Sequence, residues 1–91
     1  MKRPLRGTKR FEREFRSFQK NFGIVVRQLR KKRHLSRPEL ARLAKFSQTT
    51  LEHIEQGKAN PTLGRIENLA AALRHCLSYL FKLTQDMDKP K

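Results

Sequence analysis

Tryptophan is absent from this chain, cysteine occurs once, at Cys76, and glycine and proline number four each among 91 residues. A single cysteine excludes an internal disulfide and suits a reducing compartment. So few breakers leave long uninterrupted stretches, and a mostly helical protein is expected. No run approaches the ~18 consecutive apolar residues that a membrane span needs, and no apolar segment follows the basic start as a secretory signal requires. The expectation is a cytoplasmic protein that does not engage a membrane. His34, His53 and His75 share no ligand spacing with one another or with Cys76, so neither a metal nor another cofactor is expected. No nucleophile–base pair, phosphate-cradling glycine loop or carboxylate pair stands out either, so no enzyme is expected.

Acids are the other scarcity. Eight Asp and Glu face 22 Lys and Arg, a formal charge of +14. The imbalance is uneven: residues 1–37 hold fourteen Lys or Arg against two Glu, whereas residues 38–91 hold eight against six. A polyanion is the natural partner of the first third, and DNA, RNA or an anionic surface would each satisfy it. Charge does not choose among them.

The choice comes from Leu35 to Gly57. Ser36 is a good helix N-cap, with Glu39 three residues on completing a capping box. Leu40, Ala41 and Ala44 then recur at helical spacing. Ser47 is a second N-cap, and Gly57 suits the residue that stops the helix it opens. Only a few residues separate the two helices, so they meet at a sharp turn, a helix-turn-helix. At 100° per residue, Leu51 and Ile54 point to one side of the second helix while Gln48, Thr49, Glu52, His53 and Gln56 gather opposite. That outward face is short-chained and rich in directional hydrogen-bonding groups, the equipment for reading base edges. Gln48, Thr49, Glu52 and His53 are the candidate base readers.

Phe22–Gly23, Leu29–Arg30, Leu35–Ser36, Glu39–Leu40–Ala41 and Ser47 fall in order along this stretch. They are followed by Ile54–Glu55, Gly57, Asn60–Pro61–Thr62–Leu63, the Leu69 to Leu73 run and Leu80–Phe81. In that series the segment from Phe22 to Phe81, about two thirds of the chain, resembles the Cro and phage-repressor (Xre-type) helix-turn-helix family. The resemblance implies an all-α, lambda-repressor-like domain of five helices that binds double-stranded DNA. It implies phosphate contacts around the start of the second helix and the loop after the recognition helix: Arg33, Arg37, Gln48, Lys58 and Asn60. The family usually has Gln where this chain has Arg37, a change that favours phosphate binding. Arg30 and Glu55 match a buried ion pair typical of the family and are assigned to structure. The glycine of the family's turn is Lys45 here, which must then take a positive φ or a modified turn at some steric cost; His34 and Arg74 occupy similar helix-ending positions.

The ends of the chain depart from a minimal domain. Residues 1–20 read as a basic extension, an arm followed by helix, with Lys2, Arg3, Arg6, Lys9 and Arg10 as a DNA-following arm. Phe11, Phe15, Phe18, Phe22, Val25 and Leu29 recur at steps of four and three, an amphipathic stripe. Either one helix runs from about residue 9 to 32, or a short helix ends near Asn21–Gly23 and a second begins there; where the resemblance starts favours the break. The phenylalanines are expected to pack, while Arg10, Arg13, Arg16 and Lys20 lie on other faces. Leu77, Leu80, Phe81 and Leu83 present more apolar surface than one small core needs, so they are expected to form a homodimer seam matching a palindromic operator. Residues 21–83 are thus the DNA-binding domain and 84–91 a flexible tail.

The reading is a repressor-like, nucleoid-associated, sequence-specific transcriptional regulator. A restriction–modification controller or a toxin-binding antitoxin of the same fold fits equally, with a toxin or other regulator as partner protein. Two other classes compete: an interaction adaptor resembling multiprotein bridging factors, and an RNA-binding or DNA-coating protein driven by charge alone.

Overall fold

The computed structural model describes residues 9–88, which form five helices and, among the described residues, no strand. They are α1 (Lys9–Lys32), α2 (Arg37–Ala44), α3 (Gln48–Glu55), α4 (Leu63–Leu73) and α5 (Leu77–Asp86). α1 lies across α3 and α5, and α2 packs between α3 and α4. The apolar positions set by 3.6-residue periodicity meet in one core: Val25, Val26 and Leu29 from α1, Leu40 and Ala44 from α2, Leu51 and Ile54 from α3, Leu69 and Leu73 from α4, and Leu80 from α5. Burying a Leu or Ile side chain contributes roughly 1.5–3 kcal/mol, which is why eight-residue helices too short to persist alone are stable here.

α1 is one unbroken helix of 24 residues, and the break expected near Asn21–Gly23 does not occur. Gly23 is there for closeness. A Cβ on it would collide with the Ile54 carbonyl oxygen and lie 2.7 Å from that of Glu55, so only glycine lets the C-terminal end of α3 rest on α1. The stripe of phenylalanines runs straight through this point. Phe18 stacks on Phe22 with centroids 6.1 Å apart, and Phe81 of α5 closes the cluster at 5.9 Å from Phe18. The extension is therefore continuous with the domain, and no structural boundary falls between residues 20 and 21.

Of the expected tail, residues 89–91 lie outside the described residues, while residues 84–88 are part of the fold. α5 continues past Leu83, Thr84 is buried, and its hydroxyl donates to the Leu80 carbonyl at 2.8 Å. Beyond the helix, the Asp88 carboxylate accepts from Asn21 Nδ2 at 2.8 Å and from Ser17 Oγ at 3.1 Å. Residues 84–88 are thus tied to α1 by a short polar clasp.

Three helices end on left-handed residues that carry side chains: His34 (φ 57°), Lys45 (φ 66°) and Arg74 (φ 61°). At Lys45 the backbone N–H reaches the Ala41 and Arg42 carbonyls, satisfying the end of α2. The conformation costs about 1–2 kcal/mol for a residue with a Cβ, partly offset in glycine by its larger loss of chain entropy. Lys45→Gly is therefore expected to stabilise the protein by about 0.5–1 kcal/mol, raising the melting midpoint by several degrees. A midpoint unchanged or lowered in a thermal melt would show that the turn holds Lys45 without strain.

Candidate nucleic-acid interface

α2 and α3 are each started by a side chain. Ser36 Oγ accepts from the Glu39 backbone N–H at 3.2 Å while Glu39 returns a carboxylate oxygen to the Ser36 N–H at 2.7 Å. The Ser36 backbone N–H first, and then its hydroxyl, hold the exposed Glu39 carboxyl below its ordinary pKa. Ser47 Oγ accepts from the Thr50 N–H at 3.0 Å and meets the Thr50 hydroxyl at 2.8 Å. Thr50 is consequently occupied with capping.

The rotation of α3 is fixed by Leu51 and Ile54, which are fully buried. With those two inward, Gln48, Thr49, His53 and Gln56 are exposed and Glu52 is half-buried. The four candidate base readers therefore share the outward side of one helix, extended by Gln56 at its C-terminal end.

Glu55 organises the surroundings. Its carboxylate is almost wholly buried and accepts from Arg30 Nε at 2.7 Å, from a second Arg30 nitrogen at 3.3 Å, and from Arg37 Nε at 3.1 Å. Arg30 also donates to the Leu35 carbonyl at 2.9 Å, so one carboxylate joins α1, the α1–α2 connection, the start of α2 and the end of α3. Arg37 is not a free cation awaiting phosphate: Glu55 holds its Nε while its side chain remains 41% exposed. Sequence reasoning missed this third partner, because nothing in the spacing of Arg37 and Glu55 signals it.

Lys58 and Asn60 are exposed in the loop between α3 and α4. That loop is braced from α1. Gln19 Nε2 donates to the Ala59 carbonyl at 2.8 Å, and Gly57, at φ +75°, lies so close that an added Cβ would sit 2.9 Å from the Lys20 Cα. Neither brace was legible in the sequence, since the partner in both cases is backbone some 40 residues away. Arg33 is exposed and lines a shallow hollow with Leu35, Leu43, Ala71, Ala72 and Arg74, on the side of α2 that faces α4. Of the arm residues, Lys2, Arg3 and Arg6 lie outside the described residues, and Lys9 and Arg10 open α1.

The expected dimer seam is largely spent on the monomer. Leu80 is 0% exposed, and the Phe81 ring meets Phe18 and Phe22 at tilted angles. The core absorbs this surface because the extended α1 brings phenylalanines to meet it. What α5 leaves outward is Tyr79, while Leu77 and Leu83 are half-buried and Leu83 packs against the core.

Other chemistry is thin. Among the described residues no group of three or more His, Cys, Asp or Glu is placed to hold a metal. No described helix is long and apolar enough to cross a membrane. Cys76 is exposed at the N-cap of α5, its thiol pKa lowered chiefly by a hydrogen bond with Ser78 at 3.3 Å.

Comparison with known proteins agrees with this geometry. A family model described as a helix-turn-helix domain matches residues 21–75. The restriction-modification controller protein C.AhdI from Aeromonas hydrophila is 33% identical; the match covers 69% of this chain and 96% of that one, with a TM-score of 0.68. An HTH_3 family transcriptional regulator from Vibrio cholerae is 27% identical over 80% of this chain and 41% of its own, with a TM-score of 0.72. The clp gene regulator ClgR from Corynebacterium glutamicum shares the fold, with a TM-score of 0.74 over 77% of this chain and 74% of its own at 17% identity. No curated protein matches by sequence.

Proposed function

We propose, for a chain that belongs to the helix-turn-helix domain family, that it is a transcriptional regulator which binds duplex DNA and reads its sequence through α3. The observation that carries this is the outward side of α3. Gln48, Thr49, Glu52 and His53 project there from a helix whose orientation is locked by Leu51, Ile54 and the Glu55 carboxylate. An amide, a hydroxyl, a carboxylate and an imidazole in fixed positions match the donor and acceptor code of the major groove. Arg37, Lys58 and Asn60, with Arg33 and Gln48, are the phosphate contacts that set its depth and register. The basic arm Lys2, Arg3, Arg6, Lys9 and Arg10 continues along the duplex.

A homodimer on a palindromic site fits this reading. With Leu80 enclosed, its seam is the outer flank of α5, where Tyr79 is exposed beside Leu83 four residues on. Within the class, a controller of a restriction–modification system is favoured by the likeness to C.AhdI, which is matched over nearly its whole length.

Selection from random duplexes at about 150 mM salt tests the proposal, because charge-driven binding alone yields no consensus there. Gln48→Ala and His53→Ala should each weaken binding to the selected site by roughly 1–3 kcal/mol and relax preference at particular positions. Equal losses on selected and random DNA would demote both residues to backbone contacts. No consensus at all would leave a charge-driven nucleic-acid coat as the better account.

A further inference from the structure

Arg13, Arg16 and Lys20 stand at steps of three and four on α1, and all three are exposed. At 100° per residue they fall within about 60° of one another, roughly opposite the Phe18 and Phe22 face that packs on α5. The stripe is aimed by its inner end. The Lys20 backbone lies against Gly57, and its neighbour Gln19 holds the Ala59 carbonyl, so Lys20 borders the loop that displays Lys58 and Asn60. From Lys20 to Arg13 the helix runs outward by about 10 Å, farther than the 3.4 Å rise per nucleotide of one strand.

The acids of this part of α1 leave the stripe positive. Glu12 approaches Arg16 only at 3.9 Å, with both side chains well exposed. Glu14 lies about 160° from Arg16, and Asp88 is held by Ser17 and Asn21 on the flank toward α5. A rigid helix also loses little freedom in presenting these cations, unlike a flexible arm.

We propose that Arg13, Arg16 and Lys20 extend the phosphate-contacting edge of the α3–α4 loop, gripping the DNA backbone outside the stretch read by α3. The ligand is the phosphodiester backbone of duplex DNA, and the contact is independent of base sequence. This rests on the DNA-binding reading above and adds to it a clamp made by α1. Gln19 is the positioning residue that fixes the clamp to the loop.

The test replaces all three with glutamine, which keeps helix propensity and removes the charge. Binding is measured against salt on a duplex carrying the selected site with long flanks, and again with the flanks trimmed to the site. On the long duplex the variant's log–log salt slope should be shallower than wild type by about 1 to 3, at about 0.9 per lost contact, and its affinity at 150 mM lower by about five-fold or more. Its consensus should be unchanged, and on the trimmed duplex the difference from wild type should shrink. An equal slope on the long duplex, with wild type still binding its site, would overturn the clamp while leaving the DNA-binding reading in place. Failure of wild type to prefer any duplex would overturn that reading, and equal slopes on generic duplex would then overturn the clamp as well. Matching circular dichroism melts for wild type and variant exclude misfolding as the cause.

Discussion

Glu55→Gln should lower the stability of this protein by about 3–5 kcal/mol, the loss expected when one partner of a buried ion pair is removed and the other stays. The substitution preserves shape, so packing is not the reason. Two guanidiniums converge on that carboxylate, from Arg30 and from Arg37, and the amide would turn an N–H₂ group toward one of them. Arg30 is buried and has only the Leu35 carbonyl as a further partner in this network, so its charge would be left nearly uncompensated. In a domain of this size the loss corresponds to a fall of more than about 10 °C in melting midpoint. Arg37→Gln makes the contrast, because Arg37 is partly exposed and its pairing with Glu55 is screened; about 1 kcal/mol or less is expected. A Glu55→Gln melt within a few degrees of wild type would mean that the carboxylate is not the joint between α1, α2 and α3 described above. On DNA, Glu55→Gln should also weaken binding in whatever fraction remains folded, since Arg37 loses the group that orients it.

The second large effect separates folding from assembly. Leu80→Glu places a carboxylate at a position with no exposure, removing a packed side chain and burying a charge without a partner. The cavity term alone is roughly 2–5 kcal/mol for loss of a buried leucine, and the unpaired charge adds to it. Most of the stability of a small domain is of that order, so the variant should be unfolded at every protein concentration. Tyr79→Glu alters the outer flank of the same helix and should leave the fold intact. If the dimer forms over that flank, sedimentation should show Tyr79→Glu as a folded monomer at concentrations where wild type is dimeric. A folded, monomeric Leu80→Glu would restore Leu80 to the seam and overturn its placement in the core. Wild type that sediments as a monomer at tens of micromolar, on and off DNA, would dispose of the homodimer altogether.

Much of the fold follows from local signals that need no tertiary information. Ser36 with Glu39, Ser47, Thr62 and Gly57 mark helix ends because capping and positive φ are chemistry of one or two residues, and each acts where the sequence places it. The outward set on α3 was equally legible, since two apolar residues three apart fix which side of a helix is buried. The all-α architecture needed no more than this pattern, whereas the helix-turn-helix family rested on the ordered series of residues from Phe22 to Phe81 that resembles it. Other features depended on what meets what. Gly23 has the composition of a helix break, yet it continues the helix, because the deciding contact is with carbonyls of α3 that are remote in sequence. Leu80 and Phe81 have the composition of an exposed seam, but Leu80 is buried in the common core and Phe81 meets the Phe18 and Phe22 rings of α1. Arg37 has the composition of a free phosphate ligand, and Glu55 already holds it. By itself the sequence determined where α2, α3 and α4 begin, which side of α3 is buried and that the charge requires a polyanionic partner. Only the tertiary structure decided which polar and apolar groups were already satisfied within the monomer, because satisfaction is a property of pairs and the sequence presents residues singly.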